Sequence, residues 1–153
     1  MSKSNLFVLA LIGLAVASVT PALAAGGGAE AIKYRQSVMK AIGGHMGAIA
    51  AYVKGEVDHA AHVPVHADAL REASRTVLDL FPKGSGPEAG ETRALPKIWE
   101  DWSGFEAAVR DVEAATAKFA EVAAGTADRK ALGAALGAVG KSCGGCHTPY
   151  RSK

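Results

Sequence analysis

The sequence predicts an all-α protein folded as an antiparallel four-helix bundle. Three observations carry that prediction. Apolar residues recur at alternating spacings of three and four in four separate segments, period-two alternation is absent, and mostly short Gly- or Pro-marked breaks divide the segments. A chain of 153 residues that is 49% hydrophobic is too apolar for disorder and of a size for one compact domain. Its charges nearly cancel, at +2, without the basic clusters that track a phosphate backbone, so nucleic acid is excluded as a partner.

The first stretch belongs to no fold. Lys3 supplies a thin basic start, Leu6 to Val19 is an almost unbroken apolar run, and Pro21-Ala22-Leu23-Ala24 ends in the small-x-small pattern of a signal peptidase site. Residues 1–24 therefore read as a cleaved secretory signal and residues 25–153 as one domain. The competing reading, a retained anchor, requires about 20 apolar residues, more than the run offers. No later segment is apolar enough to span a bilayer, and the expected location is the periplasm.

The first helix follows Gly26-Gly27-Gly28, with Ile32, Arg35, Met39, Ile42, Met46, Ile49 and Val53 as its buried seam and Gly55 as its stop. The second begins after a His-rich connector around Pro64, places Leu70, Ser74, Val77 and Phe81 on one side, and closes at Pro82. Pro96 opens the third, whose seam runs Ile98, Trp102, Phe105, Val109, Val112, Thr116 and Phe119 to Gly125. Thr126 or Asp128 caps the fourth. Its seam is Leu132, Leu136, Val139, Cys143 and Cys146, and Pro149 ends it just past His147.

Both cysteines of the chain lie in Cys143-Gly144-Gly145-Cys146-His147. A spacing of three puts the thiols on one helix face, with His147 one turn beyond Cys143. That arrangement suits a porphyrin: each thiol adds across a vinyl group to form a thioether, and the imidazole reaches the iron. Cys-x-x-Cys-His is the attachment signature of c-type haem. A redox dithiol places its first thiol at a helix start after a strand, whereas this pair ends a helix. A zinc site needs a fourth ligand. A disulfide suits the compartment but leaves the histidine unused. One haem c, covalently attached, is the expected cofactor.

Covalent attachment at the last helix directs attention to the first, where Met39 and Met46 both lie on the seam. Either sulfur is able to point inward, and methionine also serves as adaptable core filler. Arg35 favours Met39, one turn away, because a seam arginine needs a partner and haem carries two propionates that a guanidinium can pair with. The alternative is an arginine that snorkels to solvent at the bundle end. A haem in the core also accounts for a chain with only 6% aromatic residues but 18 glycines.

The run Tyr34-Arg35-Gln36-Ser37-Val38-Met39, Gly55, the run Thr92-Arg93-Ala94-Leu95-Pro96-Lys97-Ile98-Trp99 and the C-terminal haem motif together resemble the class II cytochromes c, the family of cytochrome c′ and low-spin cytochrome c-556. The resemblance spans essentially the whole of residues 25–153. It implies a four-helix bundle with Cys143 and Cys146 as thioether anchors and His147 as proximal iron ligand. A methionine at the Met39 position resembles the low-spin branch, where it is the sixth ligand. In cytochrome c′ that position usually carries a bulky apolar or aromatic residue, and an open iron face admits nitric oxide or carbon monoxide. Arg35, Gln36 and Thr92 match positions that line the cofactor, and Arg93 stands where cytochrome c′ often has an acidic residue.

The function implied is a non-enzymatic one-electron carrier serving redox partner proteins of the periplasm, as monomer or homodimer, with a gas-binding five-coordinate protein as the alternative. Lys141, Arg151 and Lys153 flank the haem end and are placed to meet acidic partners. His59, His62 and His66 read as solvated loop histidines, because Pro64 interrupts the helix a metal site would need, and His45 reads as exposed. N-terminal sequencing of the exported protein is expected to begin at Ala25. A chain still beginning at Met1 after export would identify an anchor instead.

Overall fold

The computed structural model describes residues 27–153, so the signal reading of residues 1–24 lies outside the described residues. Four long helices form the bundle: α1 (Gly28–Val53), α2 (His62–Ser74), α4 (Trp102–Gly125) and α5 (Arg129–Tyr150). A single turn, α3 (Lys97–Glu100), precedes α4, and two 3-10 turns, Leu78–Leu80 and Pro87–Ala89, punctuate the long connection from α2. Around the bundle each long helix packs on two others, in the cycle α1, α2, α4, α5, and the α1–α5 seam is the most sparsely packed of the four. No strand occurs among the described residues beyond an isolated antiparallel bridge between Ala94 and Arg151.

The first helix ends where its glycine predicts. Gly55 adopts φ +77°, its N–H bonds Tyr52 O at 2.9 Å, and the N–H of Glu56 bonds Ala51 O at 2.9 Å. These are the paired bonds of a Schellman cap, which needs a residue tolerant of the left-handed region. Asp128 caps α5 by accepting from Ala131 N at 2.7 Å, which settles the choice between Thr126 and Asp128.

Four boundaries or placements differ from the sequence reading. Helix α2 begins at His62 and runs through Pro64, which sits in the first turn, where no intrahelical N–H is required of it. The same helix stops at Ser74 instead of continuing to Phe81. Carbonyls further on are taken by side chains: Leu80 O accepts from Arg35, and Phe81 O and Pro82 O accept from Trp99 Nε1 at 3.1 and 3.2 Å. Val77 and Phe81 are nonetheless buried, brought inward by the 3-10 turn.

The third segment is split at Asp101, whose φ of −126° breaks the run and whose carboxylate caps α4 by accepting from Gly104 N at 3.2 Å. Trp102 consequently leaves the seam and is 39% exposed. Helix α5 passes through Pro149 to Tyr150 because Tyr150 is anchored three ways. Its hydroxyl donates to Asp101 Oδ2 at 2.8 Å, its carbonyl accepts from Leu95 N at 3.0 Å, and its ring packs edge-on to Phe105.

The core divides into two clusters. One gathers Ile49, Tyr52, Val63, Ala67, Leu70, Phe119, Ala120, Ala123, Leu132 and Val139; the other gathers Val77, Leu80, Phe81, Ile98, Phe105, Val109 and Tyr150. Ile42 of α1 packs against both.

Asp101 serves as helix cap and as acceptor for Tyr150, so Asp101→Ala is expected to cost about 1–3 kcal/mol in chemical denaturation. Glu100→Ala, one residue away and exposed, is expected to change stability by no more than about 0.5 kcal/mol.

Candidate functional site

The last two turns of α5 carry the candidate donors. Cys143 and Cys146 are both half-buried and both free thiols, unpaired with each other. Burial pushes both thiols up, Cys146 to about 11, with the neighbouring Cys143 adding to the effect at Cys146. This is the opposite of the depressed thiol of a redox-active dithiol. Burial lowers the imidazole of His147, and the positive charges of Arg151 and Arg93 lower it further. The ring is therefore neutral at pH 7, the form that offers a lone pair to a metal.

Two residues of α1 face the same core. Met39 packs against the cluster that also receives Cys146, and Met46 packs against the cluster that receives Cys143. The two methionines thus pair with different cysteines across the loosest seam of the bundle. Sequence spacing placed both on the seam and had no means of dividing them between clusters.

Arg35, one turn before Met39, is only 4% exposed and does not snorkel. Its Nη1 donates to Leu80 O at 3.1 Å and Ser85 Oγ at 3.0 Å, and its Nη2 donates to Ser85 O at 2.9 Å and Thr92 Oγ1 at 3.0 Å. The guanidinium also lies over the Phe81 ring, 4.7 Å from its centroid. Every acceptor is a neutral oxygen. Burial pushes this guanidinium down with no carboxylate charge to oppose it, so the chain leaves a buried cation without a counter-ion.

Next to it, Gln36 Nε2 donates to Glu91 O at 3.1 Å, and Gln36, Glu91, Thr92 and Arg93 line an open cleft of about 420 Å³. Of the residues predicted to line the cofactor, Arg35, Gln36 and Thr92 are therefore together, held by the connection between α2 and α3. Arg93 lies on the far side of that cleft, its Nε donating to Ser152 O at 3.2 Å.

The site also contains a residue that sequence reasoning missed. Ser85 lies in Lys83-Gly84-Ser85-Gly86-Pro87, which reads as a turn and nothing more, yet it is fully buried and receives two of the four Arg35 bonds. No local signal distinguishes it, because its burial depends on an arginine 50 residues away.

A c-type haem fits these residues. Two adjacent thiols are free to form thioethers, a neutral histidine follows them, the facing seam is loosely packed, and a buried cation next to a polar cleft awaits an anionic group.

Residues 30–151 match the family model described as Cytochrome C′. The chain belongs to the cytochrome c′ family. A cytochrome c′ of Pararhodospirillum photometricum is 36% identical over 121 residues, covering 78% of this chain and 94% of that one. A cytochrome c-556 of Agrobacterium tumefaciens is 36% identical over 129 residues, 80% of this chain and 97% of its own. Among solved structures, a nitric oxide complex of a variant of cytochrome c prime from Alcaligenes xylosoxidans superposes with a TM-score of 0.75 at 30% identity, covering 84% of this chain and 98% of that one. The class II resemblance in the sequence and the bundle in the structure thus agree, and this protein is a haem cytochrome.

Arg35→Met removes a charged donor from four acceptors at once. It is expected to lower stability by about 2–4 kcal/mol in denaturant titration of the haem-loaded protein. Arg71→Met, on the outer face of α2, is expected to shift stability by no more than about 0.5 kcal/mol.

Proposed function

We infer that this cytochrome c′ family member is a periplasmic one-electron carrier and not an enzyme, with a low-spin iron held between His147 and Met39. The observation that carries the reading is the packing of Met39 and Cys146 against one apolar cluster from neighbouring helices. A haem c attached through Cys143 and Cys146 supplies the one-electron cycling of iron between its ferrous and ferric states. The chain's own residues hold that chemistry steady.

His147 would present a neutral nitrogen and Met39 a thioether sulfur to the iron, a donor set that would raise the reduction potential. The bundle fixes both on long helices, so neither ligand needs to move as the charge changes. Arg35 would offer its charge to the propionates, and Gln36 and Thr92 at its side would offer hydrogen bonds. Arg93, Arg151 and Lys153 are exposed at this end of the bundle and Lys141 lies on the same helix as the thiols, a basic surface suited to acidic redox partners. Among the described residues no helix is long and apolar enough to cross a membrane, in keeping with a periplasmic site of action.

A second reading has its own support in the nitric oxide complex of the Alcaligenes relative. On that reading Met39 would be core packing only, and this protein would bind small gases at the iron. The absorption spectrum separates the two. A six-coordinate low-spin spectrum that carbon monoxide does not alter supports the carrier, and Met39→Ala then converts it to a high-spin form that binds the gas readily. High-spin bands and rapid carbon monoxide binding by the unaltered protein overturn the carrier in favour of the gas binder.

A further inference from the structure

Four of the five histidines lie away from the haem motif, and the fold gathers them between α1 and α2. His45 of α1 is half-buried, contrary to its reading as exposed, because it turns toward α2 and meets His66. Their Nδ1 atoms are 3.0 Å apart, with ring centroids at 5.3 Å. His62 lies one helical turn before His66, its ring edge-on at 6.5 Å, and His59 stacks on His62 at 5.0 Å. His59, His62 and His66 line a cavity of about 250 Å³ floored by Ala48, Ala51 and Tyr52. The obstacle raised by the sequence is gone, since Pro64 sits within the first turn of α2 and leaves His62 and His66 on one helix.

We propose that this cluster is a second metal site, separate from the haem, for a divalent transition metal that favours imidazole, of the zinc or copper kind. Two imidazole nitrogens bound to one such metal at about 2.0–2.1 Å stand about 2.9–3.4 Å apart for bond angles from a right angle to tetrahedral. The His45 and His66 nitrogens already have that separation, and they are held there by two helices packed against each other, not by a loop. Among the described residues no third His, Cys, Asp or Glu yet converges with them. The third position is supplied by rotation of His62 toward the pair, and the cavity beside it leaves room for water to complete the coordination. Imidazole is the donor that zinc, copper and nickel share.

The pair has one other use, a hydrogen bond in which one Nδ1 carries the proton and the other accepts it. A metal would take the place of that single proton between the two nitrogens. Protons and metal compete for the same nitrogens, so metal retention is expected to fall as the pH is lowered. The groups facing the pair are His62, with His59 behind it; the nearest anion in the sequence on α2, Asp68, is exposed and pairs with Arg71.

The test is equilibrium dialysis of the haem-loaded protein against zinc, with bound metal counted per chain. One zinc per chain is expected. His45→Ala and His66→Ala are each expected to weaken binding by at least the ~10–100-fold that loss of even an outer-shell partner costs. His62→Ala is expected to weaken it less, and an unchanged visible spectrum in each variant reports that the haem bundle is intact. If an alanine variant fails to hold haem, His45→Gln and His66→Gln carry the same expectation with less change of volume. No retained zinc, or equal retention by the unaltered protein and the doubly substituted His45→Ala, His66→Ala chain, overturns the proposal.

Discussion

A guanidinium withdrawn from water must find partners for its donors, and Arg35 finds four acceptors in a connection 45 to 57 residues further along the chain. Much of the structure's irregular half follows from that demand. Leu80 O, at the end of the 3-10 turn, is held against α1. Ser85 is drawn into the interior, and Thr92 is fixed next to Gln36. The connection has little regular structure of its own, and the arginine gives it a shape. Neutral oxygens satisfy the donors without neutralising the charge, so the clamp and the anion-binding role are compatible. The same cation that organises the loop remains electrostatically available to a propionate.

The bundle is unequal along its length. The haem motif ends α5 where Phe81, Trp99, Trp102, Phe105 and Tyr150 pack together, with centroid separations of 4.7 to 6.3 Å. The other cluster is mostly aliphatic and small, with Tyr52 and Phe119 its only rings. The few aromatic residues of the chain are therefore concentrated, not spread thin. Between the clusters, on the α1–α5 seam, small residues and half-buried sulfurs replace large side chains, and that is where a flat macrocycle belongs. The donors at this seam are chemically quiet in the chain itself: thiols raised by burial and an imidazole kept neutral.

One helix, α1, thus performs separate tasks with different faces. Towards the core, α1 presents Met39 and Met46; towards the connection between α2 and α3 it presents Arg35, and towards α2 it presents His45. A metal at the histidine cluster would brace α1 against α2 without touching the seam that carries the haem, so occupancy there and electron transfer at the iron are separable properties of one helix.

The sequence by itself determined the helical class, most of the seams of α1, α4 and α5, the glycine that ends α1 and the haem-attachment motif, because each is set by local periodicity, by backbone chemistry or by a contiguous run of residues. Cys143, Cys146 and His147 need no tertiary information to be found together. What only the tertiary structure decided depends on partners distant in the chain. Helix α2 ends at Ser74, well ahead of Pro82, where the chain passes into tighter i→i+3 turns, and α5 runs through Pro149 because Asp101 and Leu95 anchor Tyr150. Ser85 is buried by an arginine that no local pattern links to it. Met39 and Met46 share a seam but belong to different clusters, and His45 joins His66 because two helices pack at one rotation and not another. Short-range spacing fixes which face a residue occupies, whereas long-range packing fixes what that face meets.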